Sequence, residues 1–317
     1  MKVYIPYLAS FFLVFAFGIQ PGVAATKNGF VIDDPLIPID EIVSGGPPRD
    51  GIPAINQPKF VPASAASFMD AGDRVLGVII DDVARAYPVK ILDWHEVVND
   101  QIGSQYFVVT YCPLCGSGMV FATNAAETRL LFGVSGLLYD SDVLLFDRNT
   151  ESLWSQLMGK AVSGQLKGIE LPQLPALHTT WADWRQRYPD AEVLSTDTGF
   201  RRNYSRSPYI NYHKTRQLYF EVSKEAPGDL HTKELVLGVR TDEGTKAYPF
   251  SALEAHGKAS FVDELGGRSL TIHWNGDAGT AWAVDGNGEV LPTTIAYWFA
   301  WYTFYPESLV FSSPVQQ

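Results

Sequence analysis

Cysteine and basic residues are scarce in this chain, and each scarcity excludes a class of protein. Two cysteines in 317 residues exclude a small scaffold held together by disulfides. Lys and Arg number 24 against 35 Asp and Glu, which gives a net charge of −11. The longest basic cluster is the pair Arg201-Arg202. Binding to a phosphate backbone depends on many cationic contacts, so nucleic acid is excluded as a partner.

Several familiar catalytic motifs are also missing. The sequence contains no His-x-x-x-His pair, no phosphate-binding loop and no dinucleotide fingerprint. The segment Gly133-Val134-Ser135-Gly136 is not a Gly-x-Ser-x-Gly nucleophile elbow. Hydrolase and nucleotide-binding interpretations therefore lose their usual support, and the sequence does not distinguish an enzyme from a binding module. The expected partner is a small molecule or a protein.

The N-terminus is typical of a secretory signal peptide. Lys2 precedes an apolar stretch from Tyr7 to Ile19, and small residues follow at Val23-Ala24-Ala25. The apolar stretch is shorter than the roughly 20 residues that a membrane-spanning helix needs. We therefore expect residues 1–25 to be removed, leaving a protein with no stable membrane span in the periplasm or the extracellular space.

Beyond this segment, composition and pattern predict a mainly β fold with a few short helices, in the α+β class. Hydrophobic residues make up 46% of the chain, enough for a large core. Residues 26–73 are rich in Pro and Gly and predict an extended N-terminal arm. Short β-branched and aromatic runs then predict strands at Val75–Ile80, Ala84–Tyr87, Tyr106–Tyr111, Met119–Ala122 and Val143–Phe146. Helices are predicted at Val89–Val98, Thr180–Tyr188 and Thr294–Tyr305.

An internal duplication is the most informative feature of the sequence. Aligning Val75–His95 with Val236–His256 gives ten identities in 21 positions. Two copies are too few for a solenoid, so we expect a pseudo-symmetric globule. The first half, 74–190, contains the cysteines, and the second half, 191–317, contains the other copy. Residues 172–189 are the best candidate for the connecting segment.

The two cysteines lie in Cys112-Pro113-Leu114-Cys115-Gly116, for which three interpretations compete. A disulfide across this short loop would constrain the unfolded chain by only about 2 kcal/mol. A thiol-redox pair is usually placed at a helix N-terminus, which lowers the thiol pKa, whereas this motif predicts a turn between strands. A metal-binding turn fits better, because Cys-Pro-x-Cys-Gly after a strand directs two thiolates towards one ion.

With no second Cys pair, a metal site at Cys112 and Cys115 needs further ligands from His, Asp or Glu. His95 is the best candidate because one helix and one strand separate it from the turn, and a neighbouring carboxylate or water would complete the shell. Thiolate and imidazole ligands would suit zinc or a copper ion. A structural role for His95 stays open, since His256 occupies the same place in the second copy. In that copy the positions matching the cysteines are Gly276 and Gly279.

Further polar residues near the predicted strands could line a pocket, although turn and hydrogen-bonding roles are the simpler interpretation. They are Ser135-Gly136, Tyr139-Asp140-Ser141-Asp142, Asp147-Arg148 and Thr150-Glu151-Ser152-Leu153-Trp154-Ser155-Gln156. The alternative to a metal or thiol-redox protein is a non-catalytic module. In such a module Cys112 and Cys115 would form a disulfide and these residues would recognise a ligand or partner.

Five segments resemble one family. They are Gly51-Ile52-Pro53-Ala54-Ile55, Ala84-Arg85-Ala86-Tyr87-Pro88, Trp94-His95-Glu96-Val97-Val98-Asn99-Asp100, Thr110-Tyr111-Cys112-Pro113-Leu114-Cys115 and Ser152-Leu153-Trp154-Ser155-Gln156. Together they are similar to the bacterial and archaeal domain-of-unknown-function family numbered 3179. The resemblance extends from about Asp33 to Trp298-Phe299-Ala300-Trp301. It implies a domain that occupies nearly all of the mature chain and has no established activity.

The predicted signal peptide generates the first testable outcome. Signal peptidase should cleave after Ala25, because small side chains at Val23 and Ala25 suit its binding pocket, so the mature protein should begin at or near Thr26. Intact-mass measurement of the protein recovered from the exporting cell checks this. A mass that still includes residues 1–25 would instead indicate an anchored protein.

Overall fold

The computed structural model describes residues 1–2, 25–124 and 128–313. This part of the chain is mainly β with four short helices, as the sequence predicts, and its five larger sheets form a propeller-like ring. Within the described residues, no helix has the length and apolar character needed to cross a bilayer. The predicted signal peptide falls almost wholly on residues 3–24, which lie outside the described residues.

The N-terminal arm is attached to the globule by short strands. These are β1 (Ala25–Lys27), β2 (Phe30–Ile32), β3 (Ile42–Ser44) and β4 (Phe60–Pro62), followed by a 3₁₀ turn at Ala63–Ala65. Strands β1 and β2 form a hairpin, while β3 and β4 pair with strands from later in the chain. Phe30, Ile32 and Ile42 are buried. The arm therefore contributes to the core although most of it is irregular.

The first repeat unit begins at residue 74 and ends at residue 194. Its elements are β5 (Arg74–Ile80), β6 (Val83–Pro88), α1 (Val89–His95), β7 (Val97–Ile102), β8 (Gln105–Cys112), β9 (Ser117–Ala122), β10 (Phe132–Tyr139), β11 (Asp142–Asp147), β12 (Leu153–Ser155), β13 (Lys160–Ser163), β14 (Gln173–Leu174), β15 (Leu177–Thr180), α2 (Trp181–Arg187) and β16 (Glu192–Leu194).

The second repeat unit has the same order of elements without β10 to β14. Its elements are β17 (Leu235–Thr241), β18 (Gly244–Pro249), α3 (Phe250–His256), β19 (Ser260–Leu265), β20 (Arg268–Asn275), β21 (Thr280–Val284), β22 (Thr294–Tyr297), α4 (Trp298–Phe304) and β23 (Leu309–Val310). The internal duplication is therefore visible in the secondary structure, and it extends well beyond the aligned 21 residues.

The sheets match between the two units. The order β15-β5-β6-β16-β4 corresponds to β22-β17-β18-β23, and β7-β8-β9-β14 corresponds to β19-β20-β21. The fifth sheet, β13-β12-β11-β10-β3, has no counterpart in the second unit. It is inserted into the first repeat, and we refer to it as the inserted sheet. This sheet makes the ring asymmetric.

Matching polar clusters stabilise the two units. Tyr87 donates a hydrogen bond to Asp100, which also forms an ion pair with Arg85 at 2.9 Å. In the second unit the same positions hold Tyr248, Asp263 and Lys246, and the ion pair is 2.6 Å long. Because both copies keep this arrangement, it belongs to the scaffold and not to a site that only one copy carries.

Two predicted helices are shorter than expected. The helix predicted over Val89–Val98 ends at His95, because the next residue is left-handed and Val97 begins strand β7. The helix predicted over Thr294–Tyr305 begins only at Trp298, because Thr294–Tyr297 pairs with β17. In both cases tertiary strand pairing overrides a local helical pattern.

The connection between the units differs from the prediction. Residues 172–189 are not a connector, since they form β14, β15 and α2 within the first unit. The units are joined by residues 195–234, which are irregular apart from a 3₁₀ turn at Tyr212–Lys214. We call residues 195–234 the covering segment, because they pack over the cysteine turn as described below.

Glycine in the repeated Val-Leu-Gly-Val sequence is explained by close packing of a strand against a tryptophan. A Cβ atom on Gly77 would lie 2.2 Å from the Trp184 ring, and one on Gly238 would lie 2.0 Å from the Trp301 ring. Both tryptophans are buried, and they occupy matching places in α2 and α4. In each unit, the Gly–Trp contact therefore packs the helix against the sheet.

Replacing Gly77 or Gly238 by Ala should lower the free energy of unfolding by about 1–3 kcal/mol, because the added methyl group overpacks the tryptophan contact. Gly72→Ala is the matched control, since a Cβ atom there meets nothing within 4 Å. Urea denaturation of the three variants measures the difference. Stability of Gly77→Ala equal to that of Gly72→Ala would contradict the packing argument.

Candidate metal centre

The Cys112–Cys115 turn joins β8 to β9, and its backbone geometry directs both side chains inward. The Cys115 amide donates to the Cys112 carbonyl at 3.2 Å, and Gly116 closes the turn with a φ of 61°. A Cβ atom on Gly116 would lie 2.8 Å from the Tyr297 ring, so glycine is required there. Both cysteines carry free thiols and are buried. The turn predicted from sequence is confirmed.

The second unit packs against the cysteine turn. The Tyr297 amide at the end of β22 donates to the Cys115 carbonyl at 2.7 Å. On the other side, Gln156 binds the two strands that flank the turn. Its amide donates to the Thr110 hydroxyl at 2.9 Å, and its carbonyl accepts from the Ser117 hydroxyl at 2.7 Å. The turn is therefore held rigidly from two directions.

Asp142 brings a carboxylate to the two thiols. It is the first residue of β11 in the inserted sheet, directly after a two-residue hairpin loop, Asp140-Ser141, in which both residues have positive φ. One ligand atom from each of Cys112, Cys115 and Asp142 lies within 4.8 Å of the others, and all three residues are buried. The cysteines themselves lie within 3.3 Å of each other.

The carboxylate of Asp142 is only partly satisfied. Its Oδ2 atom accepts a hydrogen bond from the Leu157 amide at 3.0 Å, whereas Oδ1 is buried and meets no donor in good hydrogen-bonding geometry in the described part of the chain. Burial has the larger effect on the pKa of the carboxyl group and raises it, whereas interaction with the two thiols lowers it. The thiols of Cys115 and Cys112 face the Ser141 carbonyl at 3.4 and 3.8 Å. A buried carboxylate oxygen without a well-placed donor is costly, so it marks a place where another group belongs.

Burial dominates the electrostatics of this group. It raises the pKa of Asp142 to about 7, and it raises the pKa values of Cys112 and Cys115 above the ordinary thiol value. The neighbouring Glu96 is also buried, and burial together with the charge of Asp142 raises its pKa to about 8. Within the described residues, neither carboxylate forms an ion pair with Lys, Arg or His. The site therefore combines several acidic groups with no protein cation.

His95 lies outside the group formed by the two cysteines and Asp142. Its Nδ1 atom is 2.7 Å from the Pro53 carbonyl oxygen, and its Nε2 atom is 2.7 Å from the Tyr204 hydroxyl. Burial lowers the pKa of His95, so the ring is neutral at pH 7. Both ring nitrogens are occupied by these contacts. His95 therefore connects the arm to the covering segment, and the carboxylate that lies near both thiols is that of Asp142.

The remaining polar residues singled out from the sequence are mostly hydrogen-bonding partners within the fold. Asp147 accepts from the Trp154 indole at 2.9 Å and from the Thr150 amide. Ser135 donates to the Leu144 carbonyl across the hairpin. Asp142 is the member of these clusters that joins the candidate site. Sequence reasoning placed it in a polar cluster but did not identify it as a ligand, because only strand pairing in the inserted sheet brings it to the turn.

The strand ladders also correct the comparison between the two repeat units. Cys112 pairs with Ser117 at the close of the first turn, and Asn275 pairs with Thr280 at the close of the second. Asn275 and Ala278 therefore match Cys112 and Cys115, one residue earlier than the sequence alignment placed them. The second unit has no thiol and no inserted sheet at this turn, so the candidate site belongs to the first unit alone.

The covering segment closes the site from solvent. Tyr209, Tyr212 and Phe220 pack against the hydrophobic cluster that contains both cysteines. The Ser141 hydroxyl donates to the Phe220 carbonyl at 2.9 Å, and Ser223 donates to the Asp140 carboxylate through both its amide and its hydroxyl. The Asp140-Ser141 loop, whose Ser141 carbonyl faces the thiols, is therefore hydrogen-bonded directly to the covering segment.

The fold and the site together describe a propeller-like β protein with a buried Cys-Cys-Asp group. The chain belongs to a family of proteins of unknown function, DUF3179, whose family model matches residues 49–290. This agrees with the resemblance seen in the sequence motifs. Comparison with curated proteins and with solved structures found no match for the chain in either case.

The raised pKa values predict how the stability of the metal-free protein depends on pH. The pKa of Asp142 is about 7 in the folded state, well above the ordinary value. Its favourable contribution to the free energy of unfolding is therefore complete below about pH 4 and is lost as the pH rises through 7. Relative to Asp142→Asn, the wild-type free energy of unfolding should fall by up to about 1.4 kcal/mol per pH unit across this window.

Chemical denaturation of the metal-free proteins between pH 5 and 8 measures this difference. Comparison with Asp142→Asn is necessary because His95 and His178 have lowered pKa values, which give a slope of the opposite sign in both proteins. A wild-type stability that rises with pH relative to the variant would mean that Asp142 is charged in the folded metal-free protein.

Proposed function

We propose that this chain is an exported metal-binding protein whose ion is held by Cys112, Cys115 and Asp142. The observation that carries the proposal is that a carboxylate oxygen of Asp142 and the sulfur atoms of two buried free thiols lie within 4.8 Å of one another. Thiolate and carboxylate are both metal ligands in their deprotonated forms. A cation would satisfy all three ligand atoms at once.

Charge balance supports a divalent ion. Two thiolates and one carboxylate carry three negative charges, which burial strongly disfavours in the absence of a counter-charge. Without a cation the groups hold protons instead, in keeping with the raised pKa values of Cys112, Cys115 and Asp142. A divalent ion replaces those protons and leaves a single net negative charge, so metal binding should release protons and weaken as the pH falls.

Zinc fits this donor set better than copper. Copper(I) prefers soft thiolate or thioether ligands, whereas zinc binds sulfur and carboxylate oxygen together. The sequence suggested zinc or copper with an imidazole ligand. A carboxylate from Asp142 in place of that imidazole favours zinc. Three protein ligands leave one position of a tetrahedral zinc ion for water or another small ligand, as in catalytic zinc sites.

A thiol-redox function receives less support from this geometry. The attacking species in disulfide exchange is a thiolate that reaches solvent, and its formation is favoured by a helix N-terminus or a nearby cation. Here burial raises the pKa values of both thiols, the turn lies between two strands, and the covering segment packs over it. These features suit thiols that are protected by an ion.

Export is consistent with a metal-bound dithiol. Periplasmic and extracellular spaces are oxidising, so a Cys-x-x-Cys pair without protection tends to form a disulfide there. Coordination by zinc keeps both sulfurs as thiolates that are shared with the ion. If the signal peptide directs the chain to such a space, the free thiols of Cys112 and Cys115 have a physical reason to persist.

Metal analysis of the purified protein tests the proposal. Elemental analysis should find about one zinc ion per wild-type chain, and none above background in Cys112→Ser or Asp142→Asn, because each change removes one of three ligands. Asp147→Asn is the matched control. This residue is a second buried aspartate of β11 whose carboxylate is bound by Thr150 and Trp154, so the variant should keep its zinc.

A thiol count on the same samples separates the competing interpretations. After removal of zinc under denaturing conditions, the wild-type protein should show two free thiols. Metal-free wild-type protein with no free thiol would instead support the non-catalytic module with a Cys112–Cys115 disulfide. Loss of zinc from Asp147→Asn with retained circular dichroism would show that the ion does not depend on Asp142 specifically.

A further inference from the structure

Glu96 adopts a backbone conformation that its residue type disfavours. It terminates α1 with a φ of 58° and a ψ of −27°, in the left-handed region. Helices that end in this way usually have glycine at this position, because a Cβ atom clashes with the backbone. In the second unit the matching residue is Gly257, which terminates α3 with a φ of 69°. The two units share the conformation, but only the first has a side chain there.

The side chain of Glu96 is largely buried, and no other side chain pairs with its carboxylate in the described part of the chain. The residue is 5% exposed, and no hydrogen bond from the described part of the chain reaches its carboxylate. Its backbone is held firmly, since its amide donates to Leu92 at 2.7 Å and its carbonyl accepts from Tyr111 at 2.8 Å. A charged group is rarely buried in this way unless it binds something. Helix geometry and burial thus give two separate reasons to expect glycine here.

Glu96 is electrostatically coupled to the candidate metal centre. The charge of Asp142 contributes to the raised pKa of Glu96, and the charge of Glu96 contributes to the raised pKa of Cys112. The carboxylate is nevertheless outside the group of atoms that lie within 4.8 Å of one another. The backbone places Glu96 next to the centre, because its carbonyl accepts from the amide of Tyr111, the residue before Cys112.

Comparison of the repeat units connects Glu96 with the cysteines. The first unit has Cys112 and Cys115 in its turn and glutamate at the end of α1. The second unit has Asn275 and Ala278 in the matching turn and glycine at the end of α3. By contrast, the Tyr–Asp–cation clusters of the scaffold occur in both units. The unfavourable glutamate therefore occurs together with the thiols and is absent where they are absent.

We propose that Glu96 is a positioning residue of the metal centre, whose carboxylate accepts a hydrogen bond from the water molecule at the fourth position of the ion. This inference rests on the proposed metal-binding function. A water molecule on zinc is a strong hydrogen-bond donor, and carboxylates that hold metal ligands from outside the coordination shell are common in zinc sites. The same contact gives the buried carboxylate of Glu96 the partner that it lacks within the described residues.

Two substitutions at Glu96 give separate readouts. Glu96→Gln keeps the shape but cannot form a carboxylate, and it should weaken zinc affinity by about 10- to 100-fold in competition with a chromophoric chelator. X-ray absorption of the zinc-loaded variant should still show two sulfur ligands. Glu96→Gly should weaken zinc binding to a similar extent while it raises the melting temperature of the metal-free protein, because glycine relieves the left-handed strain.

The matched control is Glu254→Gln at the end of α3, where the carboxylate accepts from the Trp274 indole at 3.1 Å and no thiol is near. It should leave zinc affinity unchanged. A Glu96→Gln affinity equal to wild type, with zinc still lost from Asp142→Asn, would overturn this inference and leave the proposed metal site intact. Wild-type protein that binds no zinc would overturn both. A Glu96→Gly melting temperature below that of the wild type would assign Glu96 to stability and overturn the inference alone.

Discussion

Burial of acidic groups without a protein cation is the constraint on which this structure depends. Cys112, Cys115, Asp142 and Glu96 converge in a water-poor region, where a charge costs much more free energy than at the surface. The fold tolerates them because each can hold a proton, as the raised pKa values show. A metal ion changes this balance, since one divalent charge replaces several protons. The proposed function follows from that electrostatic argument and not from a catalytic motif.

The duplicated scaffold explains how such a site can be held in place. Each unit packs its own core through a Gly–Trp contact and a Tyr–Asp–cation cluster, and the strands on either side of the cysteine turn belong to this shared scaffold. The inserted sheet then adds Asp142 to one copy only. The second unit contributes Tyr297, whose amide holds the turn at Cys115. The contacts that both units share stabilise the fold, whereas the residues of the candidate metal site occur in the first unit alone.

Several elements follow from local sequence with little ambiguity. The Cys-Pro-Leu-Cys-Gly turn between strands, the proline-initiated helices and the repeated strand–strand–helix unit depend on neighbours within a few residues, so the residue pattern predicts them. The ends of α1 and α4 do not follow in the same way, because strand pairing with distant residues decides where the helices stop. The connector is a similar case, since a helix and two strands occupy residues 172–189, which we expected to link the two copies.

The sequence by itself determined the mainly β class, the duplication and the pair of thiols, because each depends on spacing along the chain. Only the tertiary structure shows which side chain lies beside the thiol pair. His95 is near the cysteines in sequence, but its ring nitrogens contact Pro53 and Tyr204. Asp142 lies close to the cysteines although it belongs to a separate sheet. The physical reason is that a ligand set is defined by distances of a few ångströms between side chains. Those distances are set by how sheets pack, which no local pattern encodes.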